Sequence, residues 1–262
     1  MERKTAVVTG AASGVGLAIA FQLAEQGANV MFADYDQQLL KSELDPSGDN
    51  VDLFVGDLQD HLTQSNLLAA TAERFGRIDI LVNASRRMMT SSHDDLKPDI
   101  LDEMFSRNLR QHYTLSRQVA RYFTGQDPLP SRPAELAGSI VNVTSIAADR
   151  LHPDLVEYSV CCAALEQLTR SLALAFAELR INVNAVAFGS VMSGNLQRKT
   201  LENPDIREWI AAATPLGRVA EATEVANAAA FLVSGAASFM TGQILTIDGG
   251  RSLLDRYTEP HH

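Results

Sequence analysis

The residues with the clearest chemical reading lie near the start of the chain. Thr9-Gly10-Ala11-Ala12-Ser13-Gly14-Val15-Gly16 joins a short β-branched run to a stretch of helical periodicity. Glycines there permit a tight turn and let a pyrophosphate approach the N–H groups that open a helix. The alternative is a glycine-rich turn that holds no ligand. Eighteen residues after Gly16, Asp34 closes the next apolar run. A carboxylate at that place can accept hydrogen bonds from both hydroxyls of an adenosine ribose and repels a 2′-phosphate, which favours NAD over NADP. No Arg or Lys stands at Ala11–Ser13 or at Tyr35 to compensate the extra phosphate. A solvated Asp at a strand end is the other reading.

Other reactive side chains suggest less. Cys161 and Cys162 are the chain's two cysteines and are adjacent, so they could bridge each other only with strain and predict no disulfide framework. As members of a helical stretch they read as small apolar fillers; the alternative is a nucleophile or redox pair. The six histidines form no HExxH or similar set, and no metal site follows. With 32 acidic and 22 basic side chains the formal net charge is −10. Without a Lys/Arg block, such a chain is repelled by nucleic acid and by anionic membrane surfaces. Met1–Gly10 carries charges and then a short apolar run, which fits neither a signal peptide nor a membrane span and predicts a cytoplasmic protein.

Positioning the loop and the carboxylate requires strands that end side by side. Thr5–Thr9, Asn29–Asp34, Val51–Gly56, Ile78–Asn83, Ser139–Thr144, Ile181–Ala187 and Gln243–Asp248 read as seven strands. Between them, apolar residues at spacings of three and four predict helices near Val15–Gln26, Leu62–Phe75, Ile100–Phe123, Leu155–Leu179 and Glu221–Ser234. This alternation predicts an α/β fold: a single doubly wound, Rossmann-like domain over residues 1–262, with a central parallel seven-stranded sheet and helices on both faces. Gly125–Gly138 and Ser190–Pro215 break the rhythm. The second follows the carboxyl end of a strand, where open α/β sheets bind ligands, and is the better candidate for a substrate lid near 190–215. A surface insertion is the alternative for both, and it weighs more on the first than on the second.

The chain resembles the short-chain dehydrogenase/reductase family over nearly its whole length, from the loop at Thr9–Gly16 through Gly56-Asp57-Leu58 to Ile247-Asp248-Gly249-Gly250. The resemblance implies a nicotinamide cofactor, NAD by the Asp34 argument, held by Gly10, Ser13, Gly14, Val15, Gly16, Asp34, Asp57, Leu58, Asn83, Ala84, Tyr158, Gly189 and Val191. It implies Ser145 as the residue that holds the substrate oxygen and Tyr158, thirteen residues on, as the proton donor or acceptor. Asn108 resembles the helix Asn that orders a water chain, giving Tyr158, Ser145 and Asn108 as the catalytic set. The substrate is then a small alcohol or carbonyl compound, and the assembly a homodimer or homotetramer.

Three motifs depart from the family pattern. Asn-Asn-Ala-Gly appears as Asn83-Ala84-Ser85-Arg86, with Arg87 following; Pro-Gly-x-Val appears as Phe188-Gly189-Ser190-Val191; and Tyr-x-x-x-Lys has Cys162 in place of Lys. That Lys lowers the Tyr pKa in the family, and a thiol does not. An unperturbed Tyr titrates near about 10, leaving on the order of one molecule in a thousand as phenolate at neutral pH. Arg86, Arg87 or Arg150 could supply the cation or bind an acidic substrate; solvated surface arginines are the alternative. Met192, Leu196 and Trp209 could form an apolar cover or simply pack under the loop. The sequence leaves three functions open: an NAD-dependent oxidoreductase, a catalytically impaired NAD-binding pseudoenzyme or supporting subunit, and a lyase, against which the intact glycine loop argues.

Overall fold

Short β-branched runs bounded by Gly, Asp and Asn form the sheet because helices cover both its faces, leaving every position of the inner strands β1, β4, β5 and β6 buried. The computed structural model describes residues 4–44, 48–92, 99–127 and 136–254. In chain order the elements begin β1 (Thr5–Thr9), α1 (Gly14–Glu25), β2 (Asn29–Asp34), α2 (Gln37–Glu43), β3 (Val51–Val55), α3 (His61–Phe75) and β4 (Ile80–Asn83). There follow α4 (Asp99–Phe105), a π-helical turn at Ser106–Arg110, α5 (Gln111–Gly125), β5 (Gly138–Ser145), α6 (Val156–Phe176) and β6 (Ile181–Phe188). The remainder is β7 (Val191–Met192), α7 (Gly194–Glu202), α8 (Asp205–Ala212), β8 (Ala220–Glu221), α9 (Ala222–Leu232) and β9 (Ile244–Ile247).

Seven parallel strands lie in the order β3-β2-β1-β4-β5-β6-β9, so the winding reverses between β1 and β4. Alternation decides which face each side chain meets. Ala6 and Val8 of β1, with Val30 and Phe32 of β2, pack under α1, α2 and α9, whereas Val7, Met31 and Ala33 pack under α3, α5 and α6. The register ends β1 and β4 level, with Thr9 opposite Asn83, and carries β5 and β6 further: Asn83 opposes Asn142, and the two longer strands end together with Ser145 opposite Phe188. A crevice at those carboxyl ends is where such a sheet takes its ligand.

All seven expected strands are present, with ends moved by two residues at most. The helix expected over Ile100–Phe123 is instead α4, the π-helical turn and α5. Three helices and the two-stranded β7–β8 ribbon carried no clear signal: α2 buries only Leu40, and α7 and α8 bury no described residue. The Ser190–Pro215 segment is thus β7, α7 and α8 with their connections. Of Gly125–Gly138, residues 128–135 lie outside the described residues. The stretch Pro153–Leu179 is long and apolar enough to cross a membrane by length and composition alone. In the fold it carries α6, whose Leu165, Thr169, Leu172 and Ala173 are buried.

Candidate active site

At the β1 end the backbone leaves no room for side chains. Gly10 has φ +65°, and a Cβ there would come within 2.7 Å of the Ser85 backbone; one on Gly16 would come within 2.1 Å of the Gly10 carbonyl oxygen. The loop therefore lies flat against the exit of β4 and turns directly into α1. Ser13 caps α1 without using its side chain for a cap hydrogen bond, and the first turn carries no acidic residue, so the helix N-terminus presents uncompensated N–H groups. Gly14 and Val15 are the first residues of that helix. Asp34 Oδ2 accepts from the Ala12 N–H at 3.1 Å and Oδ1 from the Asp36 N–H at 3.1 Å. It fastens the loop to β2 while each oxygen keeps a lone pair for a ligand. This cradle fits a dinucleotide.

The strands beyond close the rest of the crevice. Asp57 is exposed and takes hydrogen bonds from Gln59, whereas Leu58 is buried. The Thr9 hydroxyl accepts from the N–H groups of both Ala84 and Ser85, at 3.1 Å each, tying β4's exit to β1. Asn83 points its side chain into the core, donating to Ser116 Oγ at 3.1 Å and to Asn142 Oδ1 at 2.9 Å. Gly189 follows β6 so closely that a Cβ would lie 3.1 Å from the Asp248 Cβ, and Val191 is buried in the small ribbon.

Tyr158 stands in the first turn of α6, 3% exposed, facing the end of β5. Arg86 donates from Nη1 to its hydroxyl at 2.8 Å, and the guanidinium carbon sits 4.3 Å from the centre of the Phe188 ring. Of the three arginines considered from sequence, only Arg86 contacts Tyr158. Arg87 instead approaches Glu103 at 3.8 Å, and Arg150 has no side-chain bond to Tyr158. Burial raises the Tyr158 pKa above its ordinary value and outweighs the downward pull of Arg86 and of the Ser145 hydroxyl, while Cys162 adds to the rise. Ser145 Oγ also accepts from the Ala147 N–H at 3.2 Å, which fixes the hydroxyl at the β5 terminus.

Both thiols are buried and free. Burial raises Cys161 to about 12 and raises Cys162 as well, so neither is a thiolate at neutral pH. Asn108, within the π-helical turn, accepts from the Arg87 N–H at 2.7 Å and donates to the Arg87 carbonyl at 2.7 Å. Its side chain thus grips the loop that carries Arg86. Nothing in the sequence marks Phe188 as a platform for a cation, or His112, buried beneath the same loop, as a partner of Ser85.

In the segment that follows β6, α7 and α8 expose Leu201 and Trp209, while Met192 and Leu196 are half-buried. Arg251 donates to Ser190 Oγ at 2.7 Å, anchoring the segment where it leaves β6. Among the described residues no group of three or more His, Cys, Asp or Glu could hold a metal ion.

Residues 10–252 match the protein-family model described as enoyl-(acyl carrier protein) reductase. Oxidoreductase UcpA of Escherichia coli O157:H7 is 34% identical over 260 residues, 95% of each chain. L-rhamnose 1-dehydrogenase (NAD(P)(+)) of Sphingomonas sp. strain SKA58 is 30% identical over 254 residues, 95% of this chain and 96% of that one. Among solved structures, 3-ketoacyl-(acyl-carrier-protein) reductase from Brucella melitensis complexed with NADH superposes with a TM-score of 0.84 at 29% identity, covering 96% of this chain and 99% of that one.

Proposed function

The chain belongs to the short-chain dehydrogenase/reductase family, and from that premise we propose that it is an NAD(H)-dependent oxidoreductase of alcohols and carbonyls in which Arg86 supplies the cation that Tyr158 needs. The observation that carries this reading is the Arg86–Tyr158 hydrogen bond at 2.8 Å, with Cys162 where the family has Lys. The ground for a pseudoenzyme was the missing ammonium; a guanidinium at the same hydroxyl removes it.

The bound nicotinamide would supply or accept the hydride. Gly10, Ser13, Gly14, Val15 and Gly16 would hold its pyrophosphate, Asp34 the adenosine ribose, Asp57 and Leu58 the adenine. Asn83, Ala84, Gly189 and Val191 would line the nicotinamide half, with Asn83 contributing through its backbone because its side chain is bonded within the core. Asp34 supports NAD over NADP, since no cation stands at the loop or at Tyr35 to receive a 2′-phosphate.

Arg86 donates to one lone pair of the Tyr158 oxygen, which leaves the phenolic proton free to face a substrate. In reduction, Ser145 and Tyr158 would both hydrogen-bond the carbonyl oxygen, and Tyr158 would give up its proton as negative charge develops there. The resulting phenolate is stabilised by Arg86. In oxidation the same phenolate takes the alcohol proton. Ser145 and Tyr158 are the catalytic pair, and Asn108 positions the arginine loop.

The 190–215 segment would close over the substrate, a reading supported by its start at the carboxyl end of β6. A homodimer or homotetramer through α4, α5 and α6 is supported by a cleft of about 710 Å³ lined by Phe105, Leu109, Tyr113, Ala164 and Leu168. Two free thiols suit a reducing compartment such as the cytoplasm.

Titration with NADH and NADPH by fluorescence, followed by a panel of alcohols and carbonyls, tests the proposal. NADH should bind in preference to NADPH, and Tyr158→Phe should abolish turnover while leaving NADH binding intact. Binding without any turnover across the panel would return the pseudoenzyme reading; failure of both cofactors to bind would overturn the assignment of Asp34 and the glycine loop.

A further inference from the structure

We infer that His112 is a positioning residue for the reaction: by holding the Ser85 carbonyl it aims Arg86 at Tyr158. The inference rests on the reading of Arg86 as the cation of Tyr158. His112 lies in the first turn of α5, 1% exposed, and its Nε2 is 2.8 Å from the Ser85 carbonyl oxygen. A carbonyl only accepts, so Nε2 carries the proton and donates.

The consequence follows from which peptide groups are held. The Ser85 carbonyl belongs to the peptide bond entering Arg86, and the Arg87 N–H to the one leaving it. His112 pins the first and Asn108 the second, at 2.7 Å. With both flanking peptide planes fixed, φ and ψ of Arg86 are fixed, and so is the direction of its Cα–Cβ bond. A long, exposed side chain then needs to order only its own rotamers to reach Tyr158.

Packing alone does not account for a histidine here. Leu or Phe in the same space would bury no polar atom, whereas here both ring nitrogens are taken out of water. Burial also holds the imidazole down at about 4, against the upward pull of the Ser85 and Asn108 carbonyls. It therefore stays neutral at neutral pH and adds no competing cation beside Arg86.

The test reads Tyr158 without a substrate, by ultraviolet titration of tyrosinate in the full-length protein, with Tyr158→Phe as the baseline. Arg86→Met should move the Tyr158 inflection up by about one unit or more. His112→Leu should move it in the same direction. His112→Gln, whose amide nitrogen reaches about as far as Nε2, should restore it. His112→Asn keeps polarity but is too short to reach Ser85, and should behave as Leu does even if the Leu variant fails to fold. If Arg86→Met shifts the inflection and neither His112→Leu nor His112→Asn does, the inference about His112 falls alone. If Arg86→Met leaves the inflection in place, the reading of Arg86 falls and takes the inference with it. A purely structural His112 would lower the melting temperature in all three variants without moving the inflection, and that result also overturns the inference.

Discussion

Moving the cation back to its usual place in the family is the sharpest test of the mechanism. Two substitutions do this: Arg86→Gly removes the guanidinium, and Cys162→Lys offers an ammonium one helical turn after Tyr158. The guanidinium nitrogen lies 2.8 Å from the phenolic oxygen, and its charge is centred about 4 Å away. At an effective dielectric constant of about 20 the attraction for a phenolate is roughly 4 kcal/mol. Arg86 is exposed, so solvent screening reduces this to about 1–3 kcal/mol, or about one to two pKa units. Arg86→Gly should then lower alcohol oxidation at neutral pH by about ten- to a hundredfold and push its alkaline inflection up by the same one to two units. Cys162→Lys alone should not help, because the Cys162 side chain is buried and a second cation would stand beside the first. It should reduce both thermal stability and turnover. The double variant should recover to within about threefold of the parent, since one cation again faces one phenol. The assay is the pH dependence of kcat and kcat/KM for the best substrate of the panel. Full activity in Arg86→Gly would refute the electrostatic role of Arg86; a double variant no better than Arg86→Gly would show that Arg86 acts by shape rather than charge.

Three further outcomes follow from the same geometry. Asp34→Ala should relax the NADH preference by about tenfold or more in the ratio of Kd values for NADH and NADPH, measured by fluorescence, and should also loosen the loop, since the Ala12 and Asp36 N–H groups lose their acceptor. Gly16→Ala should abolish NADH binding and lower the melting temperature by several degrees, because the added Cβ would meet the Gly10 carbonyl at 2.1 Å. Glu224 is held down to about 2 by Arg218 and by the Glu221 N–H, below its unfolded value near about 4.3. Its contribution to stability is present above that unfolded value and is lost as pH falls through about 2, so the melting-temperature gap between the parent and Glu224→Gln should be open at pH 6 and close towards pH 2.

The parts of the fold that were legible in the sequence are those that local chemistry dictates. Val7 and Val8 must face opposite layers whatever their neighbours, and two layers of helices are what make both positions apolar. Gly16 is required by the Gly10 carbonyl within one turn and Gly10 by its left-handed backbone, so the loop was readable without the rest of the chain, although Gly10 also lies against the distant Ser85 backbone. The short helices α7 and α8 were not, because they bury no described residue and so leave no apolar stripe to detect. The π-helical turn was missed for a different reason: Ser106–Arg110 has ordinary helical composition, and its width is matched by what Asn108 does to Arg87, a partner 21 residues away. Arg86 itself stood in the sequence as one of three arginines. Choosing it required knowing that the end of β4 faces the start of α6 across 72 residues of chain, a fact of sheet order rather than of spacing.

Taken singly, Arg86, Cys162 and Phe188 are three departures from a family pattern; in space they are one exchange. A lysine at position 162 would reach Tyr158 from its own helix and needs nothing from the β4 exit, where a glycine suffices. Once the cation comes from position 86, a side chain at 162 must be small and neutral, and Cys162 is both, with its thiol protonated by burial. A guanidinium arriving from β4 also needs a surface to lie on, because its planar faces accept no hydrogen bonds. Phe188 supplies that face at 4.3 Å, from the strand end that the register sets opposite Ser145. A proline in that place has no π-system to offer. On the proposed reading, Cys162 and Phe188 both fit a charge that reaches the phenolate from a loop rather than from a helix.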